Sequence, residues 1–160
     1  MKELKFLALA LLATTLFVFT SCSDDDDLKP DQIFTEALSA KFPDAKAIEW
    51  ERAKAYYVAD CYVGNKDLDV WFDGAAKWIM TETELLKTDL PTAVLTALEA
   101  SEYSTWRVDD VDMLEYPSKA TRYVIEVEQG NKEMDLYFSV DGELIEEKDV
   151  TNTDDTHWPE

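Results

Sequence analysis

The chain has 160 residues, 35 of them acidic and 15 basic, for a formal net charge of −20 and a pI near 4.2. That balance repels phosphate backbones and anionic lipid headgroups, which argues against nucleic acid or a polybasic membrane contact. Hydrophobic residues at 46% and aromatics at 12% supply enough apolar surface for a packed interior, which argues against wholesale disorder.

Residues 1–21 carry the pattern of an export signal. Lys2 and Lys5 precede an apolar run from Phe6 to Phe19 that is too short for a convincing membrane span. The run ends in Phe19-Thr20-Ser21-Cys22, which resembles the lipobox of bacterial lipoproteins; the resemblance implies that Cys22 becomes the lipidated first residue of the mature chain. Leu is usual where Phe19 stands, and the alternative is an ordinary cleaved signal peptide with an incidental cysteine. Residues 22–30 read as a tether, because Asp24, Asp25, Asp26 and Asp27 repel one another and bury nothing. An acidic tract after the lipidated cysteine is similar to that of surface-exported lipoproteins of Bacteroidetes-type bacteria. It implies a domain on the outer face of the outer membrane, with a periplasm-facing domain as the alternative. With Cys22 acylated, Cys61 is the single remaining thiol and no internal disulfide is available.

From residue 31 onward a unit is written twice. Gly64-Asn65-Lys66-Asp67-Leu68-Asp69-Val70-Trp71-Phe72 returns 66 residues later as Gly130-Asn131-Lys132-Glu133-Met134-Asp135-Leu136-Tyr137-Phe138. Upstream the offset is 60, with Ala37-Leu38 matching Ala97-Leu98, so the second copy has a longer junction between helix and sheet. The predicted domains are repeat 1 over 31–87, repeat 2 over 88–150 and a polar tail over 151–160.

Each copy opens with a helix. Asp31 is the expected N-cap of the first, and Ile33, Phe34, Ala37, Leu38 and Phe42 form its apolar stripe before Pro43 stops it. Asp89 and Pro91 open the second, whose stripe is Val94, Leu95 and Leu98. About four strands follow each helix, near 45–52, 55–63, 67–73 and 77–83, and again near 110–116, 121–128, 133–139 and 143–149. Strict alternation assigns Tyr57, Ala59, Cys61, Val63, Leu68, Val70 and Phe72 to the helix-covered face, together with Tyr123, Ile125, Val127, Met134, Leu136 and Phe138. Asp69 and Asp135 take the other face, and a one-residue slip would bury them. The Gly-Asn dipeptides supply the positive φ values of tight hairpins. The predicted fold is α+β: two tandem repeats of one helix and about four antiparallel strands, with the helices packed on one face of the sheet.

The duplicated helix-then-sheet pattern, with Asp69-Val70-Trp71-Phe72-Asp73 followed by Lys77-Trp78-Ile79, resembles the β-lactamase-inhibitor-like, PepSY-like family of exported bacterial proteins over most of 31–150. That family commonly places Gly before the last strand; Gly142 matches, whereas Ala76 stands in the first copy with Gly74 earlier. The resemblance implies a non-enzymatic extracytoplasmic binding module with no settled ligand, and an open sheet face as the contact surface.

Little in the chain points to catalysis or a cofactor. His157 is the lone histidine and lies in the polar tail, so a histidine triad or a multi-histidine metal site is not available. Cys61 shares its position with Val127, which favours a buried small hydrophobe over a nucleophile. Asp109, Asp110 and Asp112, or Asp24 to Asp27, could offer oxygen ligands to weakly bound calcium, but neither run has EF-hand spacing; solvated acidic faces are the plainer reading. The binding candidates are Tyr56, Tyr62, Trp71 and Tyr137, which share the outward parity with Asp60, Asp69, Glu126 and Asp135. They read either as cross-strand pairs stabilising an exposed sheet or as a recognition surface. The expected partner is a protein or peptide, and an exported hydrolase is one such target. A small ligand or glycan, or a structural envelope spacer with no ligand, are the alternatives.

Overall fold

The structure, a computed structural model, describes residues 28–153 and residue 159. The signal segment, Cys22, the tract Asp24 to Asp27 and His157 lie outside the described residues. Helix α1 (Gln32–Lys41) precedes strands β1 (Lys46–Ala53), β2 (Tyr56–Val63), β3 (Lys66–Phe72) and β4 (Trp78–Glu84). A 3₁₀ turn (Lys87–Asp89) leads to α2 (Thr92–Ala100), followed by β5 (Arg107–Glu115), β6 (Arg122–Gln129), β7 (Lys132–Ser139) and β8 (Leu144–Asp149). All eight strands form one antiparallel sheet in the order of the sequence. No described helix is long and apolar enough to cross a membrane.

Short local signals explain the elements. Phe34 and Leu38, one helical turn apart, are the buried residues of α1, and Val94 and Leu98 repeat that spacing in α2. Ile33 is 51% exposed, against the expected stripe, because the buried arc centres on Phe34 and Leu38 and leaves position 33 at its rim. Asp31 occupies the N-cap position of α1 without a side-chain cap; its carbonyl accepts from the Phe34 amide instead. Pro91, not Asp89, borders α2, and Asp89 closes the 3₁₀ turn by accepting from the Leu86 amide.

Hairpin geometry departs from expectation in a small way. Gly64 and Gly130 both have φ of +69°, but Asn65 and Asn131 do not join them at positive φ. One glycine at the first central position is the pattern of a type II′ turn, which still matches strand twist. Ala76 takes φ of +57°, the same left-handed region as Gly142 at +82°. The turn geometry is therefore kept without a glycine, at a strain of about 1 kcal/mol or more. The Asp73 amide donates to the Lys77 carbonyl and the Ala76 amide to the Asp73 carbonyl. Sixty-six residues on, Ser139 to Glu143 and Gly142 to Ser139 repeat both bonds.

Gly142 has a second constraint. A Cβ there would stand 2.5 Å from the carbonyl oxygen of Ala93, in the first turn of α2, whereas a Cβ at Gly64 would meet nothing within 4 Å. Gly142→Ala is expected to destabilise by about 2–4 kcal/mol, from backbone strain plus the forced shift of α2. Gly64→Ala should lose only about 1 kcal/mol, and urea unfolding of the two variants measures the difference.

Two clusters bind helix to sheet. Phe34 and Leu38 are buried with Ala59, Cys61, Leu68, Val70 and Phe72, and Val94 and Leu98 with Val111, Ile125, Val127, Leu136 and Phe138. Apart from Val111 on β5, the sheet residues are those that alternation assigns to the helix side. The junction after α2, read from sequence as a loop insertion, carries core: Tyr103 is buried, stacks edge-on to Trp106 at 5.1 Å, and donates its hydroxyl to Glu147.

A third cluster lies on the opposite parity: Val58, Trp71, Met80, Leu114, Val124 and Tyr137. Bulges make room for it. Phe72 pairs with Trp78 and Trp71 with Met80, leaving Ile79 as the extra residue, and Ile145 is extra between Tyr137 and Phe138 in the same way.

Candidate functional site

The sheet face opposite the helices divides into an apolar band and an acidic band. In the apolar band, Trp71 is 2% and Tyr137 4% exposed, which corrects the reading of these rings as an open surface. Their parity is as expected; their exposure is not. Trp71 is flanked directly by Val58 on β2 and Met80 on β4, and the Tyr56 ring meets it edge-on at 6.2 Å. Tyr137 lies between Val124 and Glu146, with the Lys148 ammonium 4.6 Å from its ring centre. Large neighbours on adjacent strands cover one another, and a face can bury its inner rows by lateral contact. The missed signal was present in the sequence: Val70-Trp71-Phe72 and Leu136-Tyr137-Phe138 are unbroken apolar runs, the pattern of strands buried on both faces. Tyr56 is half-buried and Tyr62 remains 46% exposed.

The acidic band was missed because it depends on strand pairing. Glu49 faces Asp60, Asp60 faces Asp69, and Asp69 faces Glu82, so one row across β1 to β4 consists of like charges at directly opposed positions. In the next row Glu84 faces Asp112 across the β4–β5 ladder. Directly opposed like charges destabilise a sheet. Asp60, Asp67, Asp69, Glu82, Glu84, Asp110 and Asp112 line a cleft of about 210 Å³. None of the seven forms an ion pair with a described lysine or arginine.

The electrostatic consequence is strong. Burial, then repulsion from Asp112 and its neighbours, pushes the Glu82 carboxyl up to about 9. Burial and then Asp110 push Asp112 up to about 8, and burial and then Asp60 push Asp69 up to about 6. Asp112 is 9% exposed and has no hydrogen-bond partner among the described residues. Tyr62 hydrogen-bonds Asp67 at the rim, which with the negative charge of Asp67 raises the phenol pKa.

The cleft is not a preformed metal cage, since among the described residues no group of three or more His, Cys, Asp or Glu could hold a metal ion. Asp109 does not line the cleft and pairs with Arg107, which also holds Glu128. Cys61 is fully buried in the α1 cluster and its thiol is pushed up to about 11, first by burial, which leaves almost no thiolate at neutral pH. A larger groove of about 670 Å³ adjoins the cleft, shares Asp67 and Glu84 with it, and is lined further by Tyr62, Lys66, Leu85, Leu86, Met113 and Tyr123.

Among the described residues, an eight-stranded antiparallel sheet, two helices and an acidic face define an α+β protein. The family comparison is specific: residues 55–146 match the model of the beta-lactamase-inhibitor-like, PepSY-like family, and the chain belongs to that family. A BLIP-like protein of Bacteroides fragilis is 54% identical in sequence, with a TM-score of 0.80 over 85% of this chain and 97% of its own. A DUF2874 family protein of Bacteroides uniformis is 32% identical, with a TM-score of 0.75 over 79% of this chain and 93% of its own. One of the "putative periplasmic proteins" of Bacteroides eggerthii is also 32% identical, with a TM-score of 0.74 over 78% and 91%. No match is found among curated proteins.

Proposed function

We propose that this protein is a non-catalytic, extracytoplasmic binding module that recognises a protein or peptide through the sheet face opposite its helices. The observation that carries the reading is the row of opposed carboxylates from Glu49 to Glu82, continued by Glu84 and Asp112, with no described ion-pair partner at the cleft. A sheet that accepts such repulsion departs from the rules that stabilise sheets, and departures of this kind are expected at functional sites. Tyr62 borders the band as an exposed contact residue, while Trp71 and Tyr137 form an apolar floor beside it whose rim carries the half-buried Tyr56. Family membership and the BLIP-like relative support a protein partner, with an exported hydrolase as one target. A glycan or small-ligand receptor is the weaker reading, because two of the four rings it would stack on are buried.

The recurring turn bonds, glycine φ values and bulges at a 66-residue spacing support reading the halves as two copies of one unit. The export signal with Cys22 supports a lipid anchor, and the acidic tract supports the outer surface of the outer membrane. The description of the Bacteroides eggerthii relative supports the periplasmic alternative.

A photo-crosslinking residue placed at Tyr62, and separately at Ile33 on α1, tests the face in intact cells. A discrete adduct from position 62 and none from position 33 is the expected result. Equal adducts from both, or none from position 62, would remove the face as a binding surface.

A further inference from the structure

We propose that the acidic cleft seats an arginine or lysine side chain of an extended segment in the partner, and that an apolar residue two positions along the same segment lies in the adjoining groove. This deepens the binding reading above and rests on it. Asp112 supplies the leading observation: a carboxylate nine-tenths buried, lining the cleft, directly opposite Glu84, with no hydrogen bond or ion pair among the described residues. Its carboxyl oxygens open onto the cleft, so a cation seated there can bring donors to them in place of water.

Charge and size narrow the occupant to a cationic side chain. Carboxylates of β2, β3, β4 and β5 converge on about 210 Å³, too spread to hold a metal ion as they stand. A guanidinium, with five donors in a planar fork, can engage several such oxygens at once, and an ammonium can engage three. A free cation would leave the groove unused. Yet groove and cleft are continuous through Asp67 and Glu84, and the groove presents Leu86 at 70% and Tyr62 at 46% exposure. A basic residue and an apolar residue two positions away fit both at once, because alternate side chains of an extended peptide share one side.

The test uses two synthetic hexapeptides of glycine and serine, one carrying arginine and leucine two positions apart and one with glutamate in place of the arginine, titrated calorimetrically against the exported domain at pH 9.5, where the raised carboxyls of the cleft are ionised. The arginine peptide should bind and the glutamate peptide should not. Asp112→Asn and Glu82→Gln should each weaken the arginine peptide about tenfold, and Leu86→Ala about threefold. Glu99→Gln, which removes the same charge from the exposed side of α2, should change it less than twofold. Because the cleft substitutions remove repulsion and not contact, loss of binding is not a folding defect. Equal weakening by all three charge removals would reduce the effect to general attraction by an acidic protein and overturn the proposal. Saturable calcium binding abolished by Asp112→Asn, with the peptide indifferent to that change, would overturn it in favour of a metal. A Tyr62 crosslink that persists in Asp112→Asn would keep the binding face while removing the cationic seat.

Discussion

Trp71→Ala lowers the unfolding free energy by about 3–5 kcal/mol, the range for deleting a fully buried aromatic side chain. Trp71 is 2% exposed between Val58 and Met80, both fully buried, and truncation would open a cavity in the centre of the third cluster. Against a typical total of ~5–15 kcal/mol, such a loss drops the melting temperature by about 10–20 °C. Trp71→Phe makes the cause visible. The indole Nε1 is buried with no hydrogen-bond partner, so phenylalanine sheds an unsatisfied donor that costs about 1–3 kcal/mol while losing some packing. Its net change should be near 1 kcal/mol or less. Tyr62→Ala, at an exposed position, should move stability by about 0.5 kcal/mol. Urea unfolding followed by circular dichroism measures all three, and a Trp71→Ala loss under 1 kcal/mol would contradict the lateral packing. The practical consequence is that binding lost in Trp71→Ala would report unfolding, whereas binding lost in Tyr62→Ala would report contact.

Stability should fall as pH rises from about 5 to 9. Glu82, Asp112 and Asp69 each hold a proton more tightly in the folded chain, up to about 9, 8 and 6, than at their ordinary values of 4.5, 3.8 and 3.8. The folded chain therefore binds more protons than the unfolded chain in that window, and the slope of unfolding free energy with pH is negative. The stabilisation is fully present below the ordinary carboxylate range and is lost stepwise as the pH passes about 6, 8 and 9. Glu128 beside Arg107 and Asp149 beside Thr151 are shifted downward and act in the opposite sense in acid, so the optimum lies near pH 5. Between pH 5 and 9 the decline should be on the order of a few kcal/mol. The double variant Glu82→Gln, Asp112→Asn should be more stable than the parent at pH 8 and nearly flat with pH. Urea midpoints from pH 5 to 9 measure this; parallel curves for parent and variant would show that these two carboxyls do not govern the slope.

Strand existence and facing were legible because both arise within a few residues. The expected strands near 55–63, 67–73 and 133–139 lie within a residue of β2, β3 and β7, since alternation of side chains and the Gly-Asn turns are local properties. Alternation also separated Leu68, Val70 and Phe72 from Asp69 and Trp71 correctly. The start of β5 was less legible: it begins at Arg107, three residues before expectation, because a bulge between Val108 and Asp110 hides its alternation.

Parity says which face a side chain takes, not what stands beside it there. Trp71 and Tyr137 were placed on the outward face from the chain alone, but their burial comes from Val58, Met80, Val124 and the bulges on neighbouring strands. The cleft likewise exists because β4 pairs with β5, bringing Glu84 opposite Asp112 from 28 residues away. Local periodicity carries no information about register between distant strands; that is set by how the whole sheet buries its three clusters. Charge, turns and the order of elements can be read along the chain, while the depth of each carboxylate and its neighbours emerge only when eight strands lie side by side.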